Sequence, residues 1–391
     1  MRPRNLILSL SALGLLAVVA RPMAAQEHCT ERPLASGPQW ISSLELISDR
    51  EILIADPKAS QLISFDTASG RMQKVKLPES LSPASVTRIE GGYLIKYRDD
   101  ATIIGPDKKV IKTLNLRSTK TGEVSGLGSL YSNWITRSTT FVGFGSISSV
   151  NLGTAEYNPS RGFELGLITG EVSAGSGQFR NIQLLEQTEQ NDFYLLGFPY
   201  FAATDDGLFY VRMTGAPGTR SAAIMRVEKT PSGKSVAKNL AAFPDDFRTI
   251  PNLASNKPGP PKAQDRFKRV QESRMPVGLF GLGKMLYLLV RQPASNGEGT
   301  EWFVYKINPA EDVVLDWVRL PTRAPHLSVA AGPAFWYLIE RGEVRGLGDQ
   351  DITKVIAVPT RWITSPAALS PLNPDSSRNV PCKTLPSATL K

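Results

Sequence analysis

The chain has two cysteines and two histidines in 391 residues. So few cysteines exclude a disulfide-dense scaffold and any cysteine-rich zinc or iron–sulfur site. His28 and His326 alone exclude a multi-histidine metal centre. The nucleophile-elbow pattern G-x-S-x-G is absent. The triplets Gly126-Leu127-Gly128, Gly143-Phe144-Gly145, Gly175-Ser176-Gly177, Gly281-Leu282-Gly283 and Gly346-Leu347-Gly348 never extend to a dinucleotide fingerprint. They read as bends where strands begin. No Asn-x-Ser/Thr sequon with a permitted central residue occurs. Charged residues are 21% and hydrophobic residues 41%, which excludes disorder as the main state and a multi-span membrane protein. The formal charge of +9 is mild, and apart from residues 262–274 the basic residues are scattered. That is no nucleic-acid footprint.

The beginning of the chain reads as an export signal. Arg2 and Arg4 precede an apolar run at 6–20, and Arg21-Pro22 then interrupts it. Fifteen apolar residues fit a signal core and fall short of the ~20 that span a bilayer. Cleavage is expected after Ala25, with Ala20 as the alternative site and an uncleaved anchor as the alternative reading. The signal is therefore 1–25, and no stable membrane span is expected after cleavage. The protein is expected in the periplasm or outside the cell. In that oxidising setting Cys29 and Cys382 are expected to pair. A free Cys29 or an intermolecular link is the alternative.

Beyond residue 25 no long helical period appears. Apolar runs of four to eight residues recur, bounded by turn residues. The clearest unit covers residues 40–78: strands at 41–47, 52–56, 61–66 and 72–77, closed by Pro78. Four antiparallel strands in about 40 residues make one propeller blade. Four further units repeat the order, around 86–116, 208–244, 285–321 and 335–359. An apolar residue followed by Pro recurs at 78, 244, 321 and 359, which suits the exit of an outer edge strand. A less regular sixth unit lies in 126–185. The fold class is all-β, a propeller of six four-stranded blades, with seven as the alternative count.

Unit one resembles the blades of the six-bladed propeller superfamily, of NHL and TolB-like type. The residues that carry this are the apolar run before Ala55-Asp56, the turn 57–61, Phe65-Asp66, and Gly70 four residues on. The resemblance implies a closed ring and carries no catalytic residues, because the superfamily holds enzymes and binding modules alike.

The propeller is expected to fill 26–364 as one domain. Residues 245–275 form a Pro-rich and basic insertion, read either as a lid or as a solvated loop. Residues 365–391 are expected to be a Pro/Ser-rich coil tethered through Cys382. The last blade is expected to use strands of its own. Asp56, Asp66, Asp99, Asp100, Asp205 and Asp206 sit at strand ends, where turn geometry alone favours Asp. Trp134, Phe141, Phe144, Tyr157, Phe163, Tyr194, Phe198, Tyr200 and Phe201 crowd one region with Arg137 and Arg161. They either line a ligand groove or fill the gap between twisted blades. No catalytic residue, metal ligand or cofactor is assigned. The function expected is a monomeric binding module for a protein, peptide or glycan, with no nucleic-acid role. The alternative is a calcium-dependent enzyme of the lactonase or sugar-lactone-hydrolase type, with its site in the central channel.

Overall fold

The computed structural model describes residues 28–34, 38, 40–78, 83–97, 100–121, 124–130, 134–149, 164–187, 200–214, 221–244, 274–295, 299–344, 350–375 and 381–390. The segment 1–25, where a signal is expected, and all but the last two residues of the 245–275 insertion lie outside them. The described residues form six sheets, each built on antiparallel pairing of successive strands, taken in chain order as blades 1 to 6. Blade 1 comprises Ser43–Ser48, Glu51–Asp56, Gln61–Asp66 and Arg71–Val75. Blade 2 comprises Ser85–Ile89, Gly92–Tyr97, Asp100–Ile104 and Val110–Asn115. Blade 3 comprises Ile135–Arg137, Thr140–Ser149, Glu164–Ser173 and Gln178–Gln187, with Val124–Leu130 added along Thr140–Ser149. Blade 4 comprises Phe201–Thr204, Gly207–Thr214, Ser221–Lys229 and Ser235–Leu240. Blade 5 comprises Met275–Leu282, Met285–Pro293, Thr300–Asn308 and Val313–Arg319. In blade 6, His326–Ala331, Phe335–Val344 and Gln350–Pro359 come from one stretch of chain.

The first strand of each blade touches the first strand of the next, and that of blade 6 touches that of blade 1. The chain is therefore a closed six-bladed ring. The burial pattern follows from this. In blade 1 every residue of Ile52–Asp56 is buried, because each sheet packs a neighbour on both faces. Ile52 and Ile54 meet Tyr337 and Ile339 of blade 6, while Leu53 and Ala55 meet Val86, Tyr93 and Ile95 of blade 2. Doubly covered strands read as unbroken apolar runs, which is why Ile52-Leu53-Ile54-Ala55 was so visible. The outer strand Arg71–Val75 buries only Met72 fully.

Two glycine triplets are not bends. Gly126-Leu127-Gly128 lies inside strand Val124–Leu130, and Gly143-Phe144-Gly145 inside Thr140–Ser149. Gly143 is required by close approach: a Cβ there would meet the Trp134 indole at about 2 Å. Trp134 also stacks on Phe141, with centroids 4.2 Å apart, and Phe179 meets both edge-on.

The last blade corrects the expectation that it has strands of its own. Its fourth strand is Thr30–Pro33, which pairs antiparallel with Gln350–Pro359, Thr30 opposite Ala357. The Val358-Pro359 step therefore ends a third strand and leads into the short helix Thr360–Thr364. Nor is the tail a coil held by one bond. Lys383–Thr384 adds parallel to Thr30–Pro33, and Thr389–Leu390 adds parallel to Arg71–Val75 of blade 1. The tail thus crosses the seam and pairs both bordering edge strands, the groups an open edge would leave without partners. Cys29 and Cys382 form a disulfide beside it.

Candidate binding site at the channel mouth

At one end of the ring the inner strands begin and the second strands finish. Here three second strands share a pattern. Leu94, Leu289 and Ile339 each belong to an apolar inter-blade core. Two residues further along stand Lys96, Arg291 and Arg341. Strand alternation puts each cation on the same face as the apolar residue before it, towards the following blade. The contacts agree. The Lys96 amine lies 4.5 Å above the Trp134 ring of blade 3. Arg341 donates to the Ile41 carbonyl at 3.3 Å, on the segment entering blade 1. The charge of Arg291 bears on His326, the first residue of blade 6, as the last of the three causes that lower the His326 pKa. In register, Lys96 stands opposite Ser85, Arg291 opposite Met275 and Arg341 opposite His326. These three apolar rows between blades therefore end, at this mouth, in a basic residue.

Lys96 and Arg291 are buried, at 1% and 4% exposure. Desolvation favours the neutral form of a base. It holds the Lys96 amine well below its usual range and brings the Arg341 guanidinium down to about 10. His326 is pulled down to about 4, first by burial and then by the positive charges of Arg341 and Arg291. Its imidazole is neutral at pH 7, and its Nε2 is buried with no hydrogen-bond partner among the described residues. Arg274 completes this side by donating to the Tyr305 hydroxyl at 3.0 Å. On the other side Arg212 donates to Glu186 at 3.0 Å.

Between blades 1 and 2, Glu45 accepts from the Arg88 backbone N–H at 3.1 Å. Burial pushes its carboxyl up to about 7, against that hydrogen bond and the Arg88 charge. The folded protein thus retains this proton to higher pH than the unfolded chain. The associated stability is full below pH 4.5 and lost as pH rises through 7. For His326 the sign is opposite: its contribution is full above pH 6.5 and lost as pH falls through 4. Glu45→Gln, an amide that accepts the same N–H, should therefore match the native protein at pH 4 and exceed it by about 2 kcal/mol at pH 8, after discounting for solvent screening. Thermal melts at both pH values check this; a difference independent of pH would remove Glu45 from the account.

Of the acids singled out in the sequence, Asp56 and Asp66 hold turns through their carboxylates. Asp56 is buried and accepts from the Trp40, Ala59 and Gln61 nitrogens at 3.1–3.2 Å. Asp66 accepts from the Ala68 and Ser69 N–H groups at 2.9 Å. Asp100 accepts from Asn115 at 3.4 Å. Asp205 and Asp206 use their backbones, donating to Gly283 and to the Thr204 hydroxyl. Among the described residues no three of His, Cys, Asp and Glu group as a metal ion requires. Trp134, Phe141 and Phe144 are inter-blade core, and Arg137 braces blade 3 to the Thr204 and Asp205 carbonyls. Phe201 packs with Tyr210, and Tyr200 rests on the core between blades 4 and 5. Asp99, Tyr157, Arg161, Phe163, Tyr194 and Phe198 lie outside the described residues.

The cation row escaped the sequence reading. The apolar runs that mark the second strands of blades 5 and 6 end at Val290 and Ile339, which leaves Arg291 and Arg341 outside them. The signal that finds it is a basic residue two positions past a core apolar residue of the second strand (Leu94, Leu289 and Ile339), in three units at once.

No family model matches the chain, and no curated protein does. Among solved structures, a luciferin-regenerating enzyme aligns at 10% identity with a TM-score of 0.46, covering 93% of this chain and 99% of that one. A chain of a nidogen/laminin complex aligns at 12% identity and TM-score 0.37, covering 74% and 92%. A hydrazine synthase of Kuenenia stuttgartiensis aligns at 10% identity and TM-score 0.38, covering 78% and 75%. These likenesses are of overall shape and bring no residue or activity with them. The ring assignment rests on the strand pairing above.

Proposed function

We propose that the protein is an exported binding propeller without a catalytic centre, whose ligand enters at the mouth where the inner strands begin. The observation that carries this reading is that Lys96, Arg291 and Arg341 stand at equivalent positions of the second strands of blades 2, 5 and 6 at that mouth, with His326 opposite Arg341, on a closed ring. Buried polar groups placed on strands are a recurrent way to orient a ligand. The Cys29–Cys382 bridge and the absence, among the described residues, of a helix able to cross a membrane agree with export.

The test is capture from periplasmic and extracellular extracts on the immobilised protein, beside the double variant Arg291→Met and Arg341→Met. A partner of micromolar affinity or better, retained by the native protein and lost by the variant, is the expected result. Absence of any reproducible partner counts against it. Calcium-dependent hydrolysis of a panel of sugar lactones would replace it with the enzyme reading.

A further inference from the structure

We propose that a cavity at the outer rim, between blades 5 and 6, is a second binding site, which takes a small α-carboxylate carrying an aliphatic side group. It uses none of the residues assigned to the channel mouth.

The lining comes from three places in the chain. Arg319 ends the outer strand of blade 5, and Leu320, Pro321 and Arg323 follow it on the connection to blade 6. Glu301 stands near the start of the third strand of blade 5, and Leu372 and Pro374 come from the segment after the short helix Thr360–Thr364. The cavity holds about 280 Å³, the room of roughly nine waters at ~30 Å³ each. Its frame is fixed. Leu320 donates its N–H to the Trp302 carbonyl at 2.8 Å, and the Trp302 indole donates to the Ala324 carbonyl at 2.9 Å. The Asn373 side chain, between Leu372 and Pro374, donates to the Ala367 carbonyl at 2.9 Å. A ligand therefore meets a preformed cavity, and little is lost in ordering it. Charge selects what enters. Glu301, its side chain 10% exposed, is already matched: it accepts from Arg319 at 3.5 Å and from Gln292 at 3.0 Å. Arg323 is exposed and forms no ion pair among the described residues. The lining thus holds two guanidiniums and one carboxylate, a net charge of +1. A ligand carboxylate restores neutrality, and its two oxygens match the planar fork of a guanidinium. Leu320, Pro321, Leu372 and Pro374 are apolar and reward an aliphatic group for leaving water. Apolar walls with a few placed charges are the usual build of a small-molecule site.

The test is calorimetric titration of the full-length protein with L-leucine, N-acetyl-L-leucine, L-leucinamide and acetate, all at one pH and ionic strength. At least one of the first two should bind saturably, one per chain, with a Kd of about 1 mM or tighter, within reach of so small a ligand. Leucinamide, which lacks the carboxylate, and acetate, which lacks the aliphatic group, should each bind at least about tenfold more weakly. A preference for leucine over N-acetyl-leucine assigns the site to free amino acids, with Glu301 beside the ammonium. An equal or reverse preference assigns it to the carboxyl end of a peptide. Arg323→Gln should weaken binding about tenfold. Lys109→Gln, which removes one exposed positive charge from blade 2, should leave it unchanged. Pro374→Trp, on an exposed part of the lining, fills the cavity and should abolish binding. Arg323 and Pro374 are both exposed, so the variants are expected to fold. The proposal is overturned if neither leucine nor N-acetyl-leucine binds, or if leucinamide binds as well as leucine. Binding that survives both Arg323→Gln and Pro374→Trp overturns it as well. No arm involves Arg291 or Arg341, so failure here leaves the channel mouth to its own test.

Discussion

Replacing Cys29 and Cys382 together by alanine should cause the largest loss of stability of any pair in the chain. The bridge closes a loop with a sequence separation of 353. The chain-entropy model sets a ceiling of about 6 kcal/mol for so long a loop, and native bridges commonly deliver about half of such ceilings. A loss of ~3 kcal/mol lowers the melting temperature by roughly 6 °C. Comparing melts of the native protein, the double variant and the native protein with reductant measures this. Cys29 is fully buried, in the core that also holds Trp336 and Trp362, so alanine is the conservative choice. Two titratable thiols in protein purified from an oxidising compartment would contradict the pairing, and an unchanged melt would remove its mechanical role.

Arg32→Ala should produce the second large effect. Its guanidinium donates to the Pro386 carbonyl at 2.7 Å and to the Ala68 carbonyl at 2.8 Å. It therefore joins the outer strand of blade 6, the tail and a turn of blade 1 at one point. Gly70 makes the space: its φ is +78°, and a Cβ there would lie 2.6 Å from the guanidinium. Removing the side chain leaves the carbonyls without their donor and opens a void over Gly70. About 2–3 kcal/mol is expected, in the range for hydrogen bonds to charged groups. In protein lacking the disulfide the same substitution should cost less, because the tail is already loosened. Groups that share a partner are non-additive. A double-mutant cycle measures the difference; strict additivity would mean that the bridge and Arg32 hold the tail independently.

The parts of the fold legible in the sequence are those where local rules coincide. Strands buried on both faces give continuous apolar runs, so second strands such as Ile52-Leu53-Ile54-Ala55 and Leu286-Tyr287-Leu288-Leu289 stood out and set the repeat. Pro exits marked the outer strands of blades 1, 4 and 5. Of the seam, the Cys29–Cys382 bridge was legible and the strand pairing was not. Thr30-Glu31-Arg32-Pro33 has no apolar run, and its partner lies more than 320 residues away. Lys383–Thr384 and Thr389–Leu390 are two-residue strands in a polar, Pro-containing tail, held by tertiary pairing alone. The mouth was half legible. Its residues were in view, yet Arg291 and Arg341 follow the apolar runs and so resembled the polar start of a loop. Their burial depends on neighbouring blades, which only the closed ring supplies.

The disulfide also decides how the molecule carries load. The Cα atoms of Cys29 and Cys382 lie 4.5 Å apart. A pull applied to the chain before residue 29 and after residue 382 therefore enters and leaves the protein almost at one point. The tension runs through the sulfur–sulfur bond and bypasses the four main strands of every blade. In the oxidised protein all six blades are shielded from stretching, and the flanking segments alone extend. The short parallel pair Thr389–Leu390 lies beyond the bridge and peels first, which uncovers the edge of blade 1 while the ring stays shut. After reduction the same pull falls directly on Thr30–Pro33, loaded along the ladder it shares with Gln350–Pro359. The redox state of one bond thus sets whether the ring feels force at all.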